Sequence, residues 1–164
     1  MNVWIGNDHG GFELKEKLVR QMKEQGHDVT DVGCGATDNV RYPYYAVEVA
    51  SAVAKGEAER GILICSTGIG MSIYANKFPG IRASLCLTPL MADMTRRHND
   101  SNILCLGGKI IGEWDAQRIL DIWLSTDYEG GRHDISLGLI AETEKIHMTG
   151  NIWNPNDNSI SKRP

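Results

Sequence analysis

The sequence predicts an α/β fold: a doubly wound parallel sheet of five strands with helices on both faces. Two observations carry the prediction. Five short apolar runs alternate with longer stretches of helical periodicity, the pattern that parallel strands joined by crossover helices produce. The chain has 164 residues, 41% hydrophobic and 23% charged. That is the composition of one soluble globular domain, large enough to bury its core without disulfide staples.

The elements follow in order. Val3-Trp4-Ile5-Gly6 is a short apolar strand. A helix comes next, because Leu14, Leu18 and Met22 recur four apart with Val19 widening the stripe, and Gly26 ends it. Asp28 to Val32 is the second strand, and Gly33-Cys34-Gly35 is a turn. Pro43 opens a helix through Ala46, Val49, Ala50 and Val53 to Gly56. Gly61-Ile62-Leu63-Ile64-Cys65 is the clearest buried strand, and a helix is expected to start near Met71. Arg82 to Leu87 and Asn102 to Leu106 are the last two strands, separated by a helix from about Pro89 to Arg97. Trp114, Ile119, Leu120 and Trp123 mark another amphipathic helix, and a final one runs from about Ile135 to Met148. The expected organisation is one domain over 1–149. A polar tail follows over 150–164, rich in asparagine, with Trp153 as its one anchor.

Charge and cysteine usage exclude several classes. Twenty-one acidic against 17 basic side chains give a net charge of -4, which offers no bulk attraction for nucleic acid. No apolar stretch approaches a membrane span and no basic leader opens the chain, so neither a membrane partner nor export is expected. Cys34, Cys65, Cys86 and Cys105 have no CxxC spacing, which suits reduced thiols in a cytoplasmic protein.

In a parallel sheet, ligands bind beyond the carboxyl ends of the strands. Three loops there are unusually equipped: Asn7-Asp8-His9-Gly10-Gly11, Cys65 to Gly70, and Gly107-Gly108-Lys109. Thr67, Gly68 and Gly70 allow a tight backbone whose N–H groups converge on an anion. Cys65 at the strand end is then a base or nucleophile, or else a small core residue. Asp8-His9 suits proton transfer and phosphate contact, or else a cap and a solvated imidazole. Arg96-Arg97-His98-Asn99-Asp100 and Gly130-Gly131-Arg132-His133 read first as solvated basic faces. His9, His98 and His133 lack HxH or HxxxH spacing, so no metal site is expected.

Together these pieces resemble the B-type ribose-5-phosphate isomerases, whose wider family holds the galactose-6-phosphate isomerase subunits. The resemblance is carried by Asn7 to Phe12, Tyr42-Pro43-Tyr44-Tyr45-Ala46, Gly61 to Ser72, Ala75-Asn76-Lys77, Gly80 to Ala83, Arg97-His98-Asn99-Asp100 and Tyr128 to His133. It implies a Rossmann-like three-layer α/β/α sandwich, a homodimer with the active site shared between subunits, and aldose–ketose isomerisation without metal or organic cofactor. Pairing of dimers into tetramers is left open. The default substrate pair is ribose 5-phosphate and ribulose 5-phosphate, interconverted through a cis-enediolate.

Carried over residue by residue, the resemblance makes Cys65 the base and Thr67 the hydroxyl that moves protons between O1 and O2. The backbone of Ser66, Gly68, Ile69 and Gly70 holds the enediolate. His98, assisted by Asp8, opens the sugar ring, and Tyr42 and Asn99 contact substrate hydroxyls. His9, Lys109 and Arg132 belong to the phosphate grip, with His133 a weaker candidate. The chain departs from the family pattern at Lys109 and Ser136, where arginines are common, and at Arg41, where an acid is common. Lysine loses the planar fork of arginine, and loss of one charged phosphate contact costs ~1.5–3 kcal/mol. Lys109 and Ser136 keep open the same chemistry on another tetrose, pentose or hexose, with or without phosphate. Because fold alone does not fix function, a non-catalytic sugar-phosphate or nucleotide binding module is a further alternative, and a redox role for Cys65 is a third.

Overall fold

The computed structural model describes residues 1–148; the tail expected over 150–164, with Trp153, lies outside the described residues. In chain order the elements are β1 (Asn2–Asn7), α1 (Phe12–Glu24), β2 (Asp28–Asp31), α2 (Pro43–Ala54), β3 (Arg60–Cys65), α3 (Ile69–Ala75), β4 (Ala83–Leu85), α4 (Pro89–Asn99), β5 (Ile103–Gly107), α5 (Glu113–Ser125) and α6 (Arg132–His147). The five strands form one parallel sheet in the order β2-β1-β3-β5-β4. This is the predicted α/β fold.

Alternation along the strands divides the core into two layers. On one face Val3, Ile5, Ile62, Ile64, Leu104 and Leu106 pack with Leu14, Leu18 and Met22 of α1 and Ile119, Leu120 and Trp123 of α5. On the other, Leu63, Cys65, Ile103 and Cys105 meet Ala46, Val49 and Ala50 of α2 and Met71 and Ala75 of α3. Helix α2 lies close to the sheet because Gly6 and Gly61 leave room beneath Val49: a Cβ on Gly61 would stand 2.7 Å from its Cγ1.

The structure differs from the sequence expectations in five places. Helix α3 starts at Ile69 rather than Met71, because Gly68 takes φ 77° and turns the chain into the helix at once. Helix α6 starts at Arg132 rather than Ile135, after Gly130 and Gly131 with φ 66° and 63°. Strand β4 covers Ala83–Leu85 rather than Arg82 to Leu87; at its start the Arg82 N–H is taken by the Asn102 side chain at 2.8 Å. Trp114 does not share the buried face of α5. It is 65% exposed, with the Arg118 guanidinium 4.6 Å from its ring. Arg96 is buried rather than solvated. It donates to Asp100 Oδ1 at 2.9 Å and to the carbonyls of Ser101 and Thr126, and lies against Trp123.

Helix α6 buries none of its residues, and Ile135, Leu139, Ile140 and Ile146 face outward. No helix among the described residues is long and apolar enough to cross a membrane. All four cysteines are free.

Candidate active site

The chain leaves β1 toward β2 on one side, and β3 lies on the other side of β1. The loops after β1 and β3 therefore diverge at the switch point of the sheet, where a crevice opens. Glycines let three loops close on one another there. A Cβ on Gly10 would stand 2.2 Å from Ser66 Oγ, one on Gly11 would stand 2.6 Å from the Ile64 carbonyl, and one on Gly108 would stand 2.6 Å from the Gly10 carbonyl. The Gly108 and Lys109 N–H groups donate to the carbonyls of Cys65 and Ser66 at 2.8 and 3.0 Å. All three loops singled out in the sequence thus form one floor.

Cys65 ends β3 in the core, yet its Sγ accepts the Gly68 N–H at 3.1 Å. The residue packs as a small core side chain, and its sulfur also faces the loop backbone. Thr67 is exposed beside it, its Oγ1 accepting from the Ile69 N–H at 3.4 Å. Asp8 is buried, and its Oδ1 accepts the Gly10 N–H at 2.9 Å. Its carbonyl takes the Asn7 amide, which also reaches Cys34 Sγ. His9 Nδ1 accepts the Val40 N–H at 3.3 Å, leaving the other ring nitrogen free of that bond. Tyr42 caps α2 and lays its ring over Gly70, where a Cβ would stand 3.0 Å from Cζ. Tyr74 meets that ring edge-on with centroids 6.5 Å apart. Arg41, immediately before Tyr42, is exposed. His9, Gly10, Glu13, Thr37, Gly108 and Lys109 border a cavity of about 250 Å³.

Burial governs the other three cysteines. Burial pushes the Cys86 thiol up to about 12. Cys105, fully enclosed in β5, is also driven well above the ordinary thiol range by burial, and after that by the neighbouring Cys65 and Cys86 sulfurs. Cys34 is raised by burial as well.

A second group of predicted residues gathers elsewhere. Helix α4 starts beyond the carboxyl end of β4 and runs back, delivering His98 and Asn99 to the amino ends of the strands. There the Asn99 carbonyl accepts from Arg82 Nε at 3.0 Å. His98 stacks on His133 with ring centroids 4.3 Å apart. Glu129 approaches both imidazoles, its Oε2 3.8 Å from His98 Nε2 and 3.6 Å from His133 Nε2. Its Oε1 accepts from Arg97 Nε at 2.6 Å, and these bonds hold the Arg97 guanidinium above its ordinary range. Arg132 and Ser136 stand exposed on the first turns of α6.

One chain therefore does not bring its predicted site together. A five-residue strand such as β5 spans about 17 Å, which separates Asp8, Cys65 and Thr67 at one end of the sheet from His98 at the other. The expected help of Asp8 to His98 does not form within a chain. The phosphate grip is divided in the same way, with His9 and Lys109 at the carboxyl end and Arg132 and His133 at the amino end. Sequence reasoning assigned no role to Glu129, although it stands one residue before the Gly130-Gly131-Arg132-His133 run. Among the described residues, His98, Glu129 and His133 are the group whose ligand atoms all lie close enough to share a metal ion, within 4.8 Å. His9 is not part of it.

A family model described as Ribose/Galactose Isomerase matches residues 3–140. The chain belongs to the ribose/galactose isomerase family. Over 143 residues it is 47% identical to ribose-5-phosphate isomerase B of Escherichia coli K12, covering 87% of this chain and 96% of that one. The ribose-5-phosphate isomerase B of Clostridium thermocellum superposes with a TM-score of 0.88 at 47% identity, covering 90% of this chain and 99% of that one. The enzyme of Mycoplasma genitalium, solved with bound ribulose-5-phosphate, gives 0.85 at 35% identity, covering 88% and 96%. This family member shares their fold across almost its entire described length.

Proposed function

We propose that this member of the ribose/galactose isomerase family is an aldose–ketose isomerase interconverting ribose 5-phosphate and ribulose 5-phosphate. The observation that carries the reading is the Cys65 sulfur at the switch point, faced by the Gly68 N–H, with the Thr67 hydroxyl beside it. Isomerisation needs a base at the carbon acid, a proton relay between two oxygens, and donors for developing negative charge. Cys65 Sγ takes the C2 proton of the open-chain aldose, leaving a cis-enediolate, and the same proton is delivered to C1. The Thr67 hydroxyl moves the proton between O1 and O2. Backbone N–H groups of the Ser66 to Gly70 loop not taken by Cys65 Sγ and Thr67 Oγ1 face the enediolate oxygens, and Tyr42 over Gly70 orients the sugar. No step draws on a cofactor.

The ring must open first, and His98 is the acid–base group for that step. The distance between His98 and Cys65 in one chain favours a homodimer in which the amino end of one sheet meets the carboxyl end of the other. Such an isologous pairing builds two identical sites, each with Asp8, Cys65 and Thr67 from one subunit and His98, Asn99 and Arg132 from its partner. Outward apolar residues suit this arrangement: Ile135, Leu139 and Ile140 on α6, and Ile69 and Ile73 on α3 beside the Cys65 loop. The free thiols fit a reducing cytoplasm.

Lys109 and Ser136 favour a second reading, the same chemistry on a different sugar. Both are exposed, and neither offers the bidentate fork of arginine. A proton NMR time course in D2O with ribose 5-phosphate, EDTA and a Cys65→Ala control tests the assignment. Loss of the C2 proton signal with growth of ketose signals is expected, and both are absent in the control. Persistence of the C2 proton signal with folded protein overturns the substrate, and ketose formation that survives Cys65→Ala overturns the mechanism.

A further inference from the structure

We infer that His98, Glu129 and His133 form a binding site for a divalent transition-metal ion of the zinc type, and that the bound ion inhibits the enzyme. Two imidazoles and a carboxylate are a donor set that suits such an ion, with the fourth position left to water. Neighbouring donors in a tetrahedral site with bonds of about 2.0–2.1 Å stand about 3.4 Å apart. Glu129 Oε2 is already 3.6 Å from His133 Nε2 and 3.8 Å from His98 Nε2, so shifts of a few tenths of an ångström close those two edges. Arg97 occupies Oε1 and leaves Oε2 turned toward the imidazoles. That bond fixes the carboxylate as outer contacts fix the ligands of metal sites.

Two features set the cost of binding. The imidazoles are stacked with planes 17° apart, so one ring must turn before both nitrogen lone pairs point to one ion. Arg132 Nε also donates to His133 Nε2 over a long 3.5 Å, and the metal takes that lone pair instead. The guanidinium charges of Arg97 and Arg132 further weaken attraction for a cation. The site is therefore one for a reversible, micromolar ion rather than a permanent structural metal. The side chains of His98 and His133 are 34% and 16% exposed in one chain, and in the proposed dimer the opening that admits a sugar phosphate to His98 admits an ion.

Inhibition rests on the ring-opening role proposed for His98. An ion on His98 Nε2 holds the lone pair that must accept and return the proton during ring opening. Metal binding itself does not depend on that role.

Equilibrium dialysis of the full chain against zinc chloride in a non-chelating buffer separates the outcomes. One zinc ion per chain is expected, with equal affinity in wild type and Cys65→Ala. Loss of an outer contact typically costs a metal site about 10–100-fold, so loss of a ligand in Glu129→Gln or His133→Asn weakens binding by at least about tenfold. Circular dichroism confirms that each variant is folded. Should Glu129→Gln unfold through its lost Arg97 contact, His133→Asn, changed at a partly exposed ring, decides alone. Loss of binding in Cys65→Ala would put the ion on the thiol and overturn the site, as would unchanged binding in His133→Asn. Absence of any binding at micromolar zinc also overturns it. In wild type, zinc abolishes turnover of ribose 5-phosphate and EDTA restores it; zinc bound without loss of turnover overturns the inhibition. Zinc bound by a protein that never turns over ribose 5-phosphate leaves the site standing and sinks the functional reading instead.

Discussion

Gly68 presents its backbone N–H to the sulfur of Cys65 at 3.1 Å, and its left-handed φ of 77° turns that N–H back toward the end of β3. Leu85 and the Leu106 carbonyl close over the same residue. A Cβ there would stand 2.5 Å from Leu85 Cδ1 and 2.9 Å from Leu106 C. Conformation and packing both demand glycine, and both serve the sulfur contact.

Gly68→Ala is therefore expected to cost roughly 2–4 kcal/mol, combining a left-handed alanine with an overpacked core. The urea midpoint measures it. Activity should fall further than stability accounts for, because the N–H moves off the sulfur. A variant with normal stability and turnover would show that the contact is incidental.

Separation of Cys65 from His98 makes a sharper prediction. If the proposed shared site is right, neither Cys65→Ala nor His98→Asn is expected to be active alone, while a mixed dimer would hold one site with both native residues and one with neither. Random reassortment after mild unfolding and refolding yields half mixed dimers, so the mixture should recover about a quarter of wild-type activity. Recovery of nothing, from protein shown to be dimeric, would mean that the two residues do not share a site.

Most of the fold was legible because β1, β3 and β5 are apolar runs ending in glycine-rich loops, and these glycines are required where Gly10, Gly11 and Gly108 meet neighbouring backbone. The loops around Cys65 were legible for the same reason. The other half of the site was harder to read. Arg96 and Arg97 are adjacent in sequence, yet one is buried on Ser101, Thr126 and Trp123 while the other reaches Glu129 32 residues away. Short-range contacts do not separate them, because each arginine also has an acidic residue four positions away, and what buries Arg96 arrives from Trp123 and Thr126 while Arg97 is claimed by Glu129. Trp114 misled for a related reason: it lies in the first turn of an amphipathic helix, yet it is exposed and meets Arg118 instead of the core.

Ser136 stands one turn beyond Arg132 on α6, where its hydroxyl brings no charge. If Arg132 grips the phosphate from the partner subunit, Ser136→Arg adds a second guanidinium on the same helix face. A charged hydrogen bond of about 1.5 kcal/mol lowers KM for ribose 5-phosphate about tenfold with kcat unchanged, since the phosphate is bound alike in ground and transition states. The gain should vanish for a sugar without phosphate. An equal gain on free sugar, or none on either, would place Ser136 away from the phosphate.

The buried thiols give stability a pH dependence whose sign follows from proton counting. Cys86 ionises at about 12 in the folded chain against an ordinary thiol value of 9.0, and burial raises Cys105 as well. Between these limits the unfolded chain has lost its thiol protons while the folded chain keeps them. The folded state then binds more protons, so stability is full below pH 9 and falls as pH rises toward 12. Each such thiol contributes up to about 1.4 kcal/mol per pH unit to the fall. Cys86→Ala lowers the whole curve by leaving a small cavity, but it should flatten the slope above pH 9, which separates the thiol from tyrosines and lysines titrating in the same range. Urea midpoints at pH 7.5, 9 and 10 for both proteins provide the comparison. Parallel curves would mean that the Cys86 thiol ionises as freely in the folded chain as in the unfolded one.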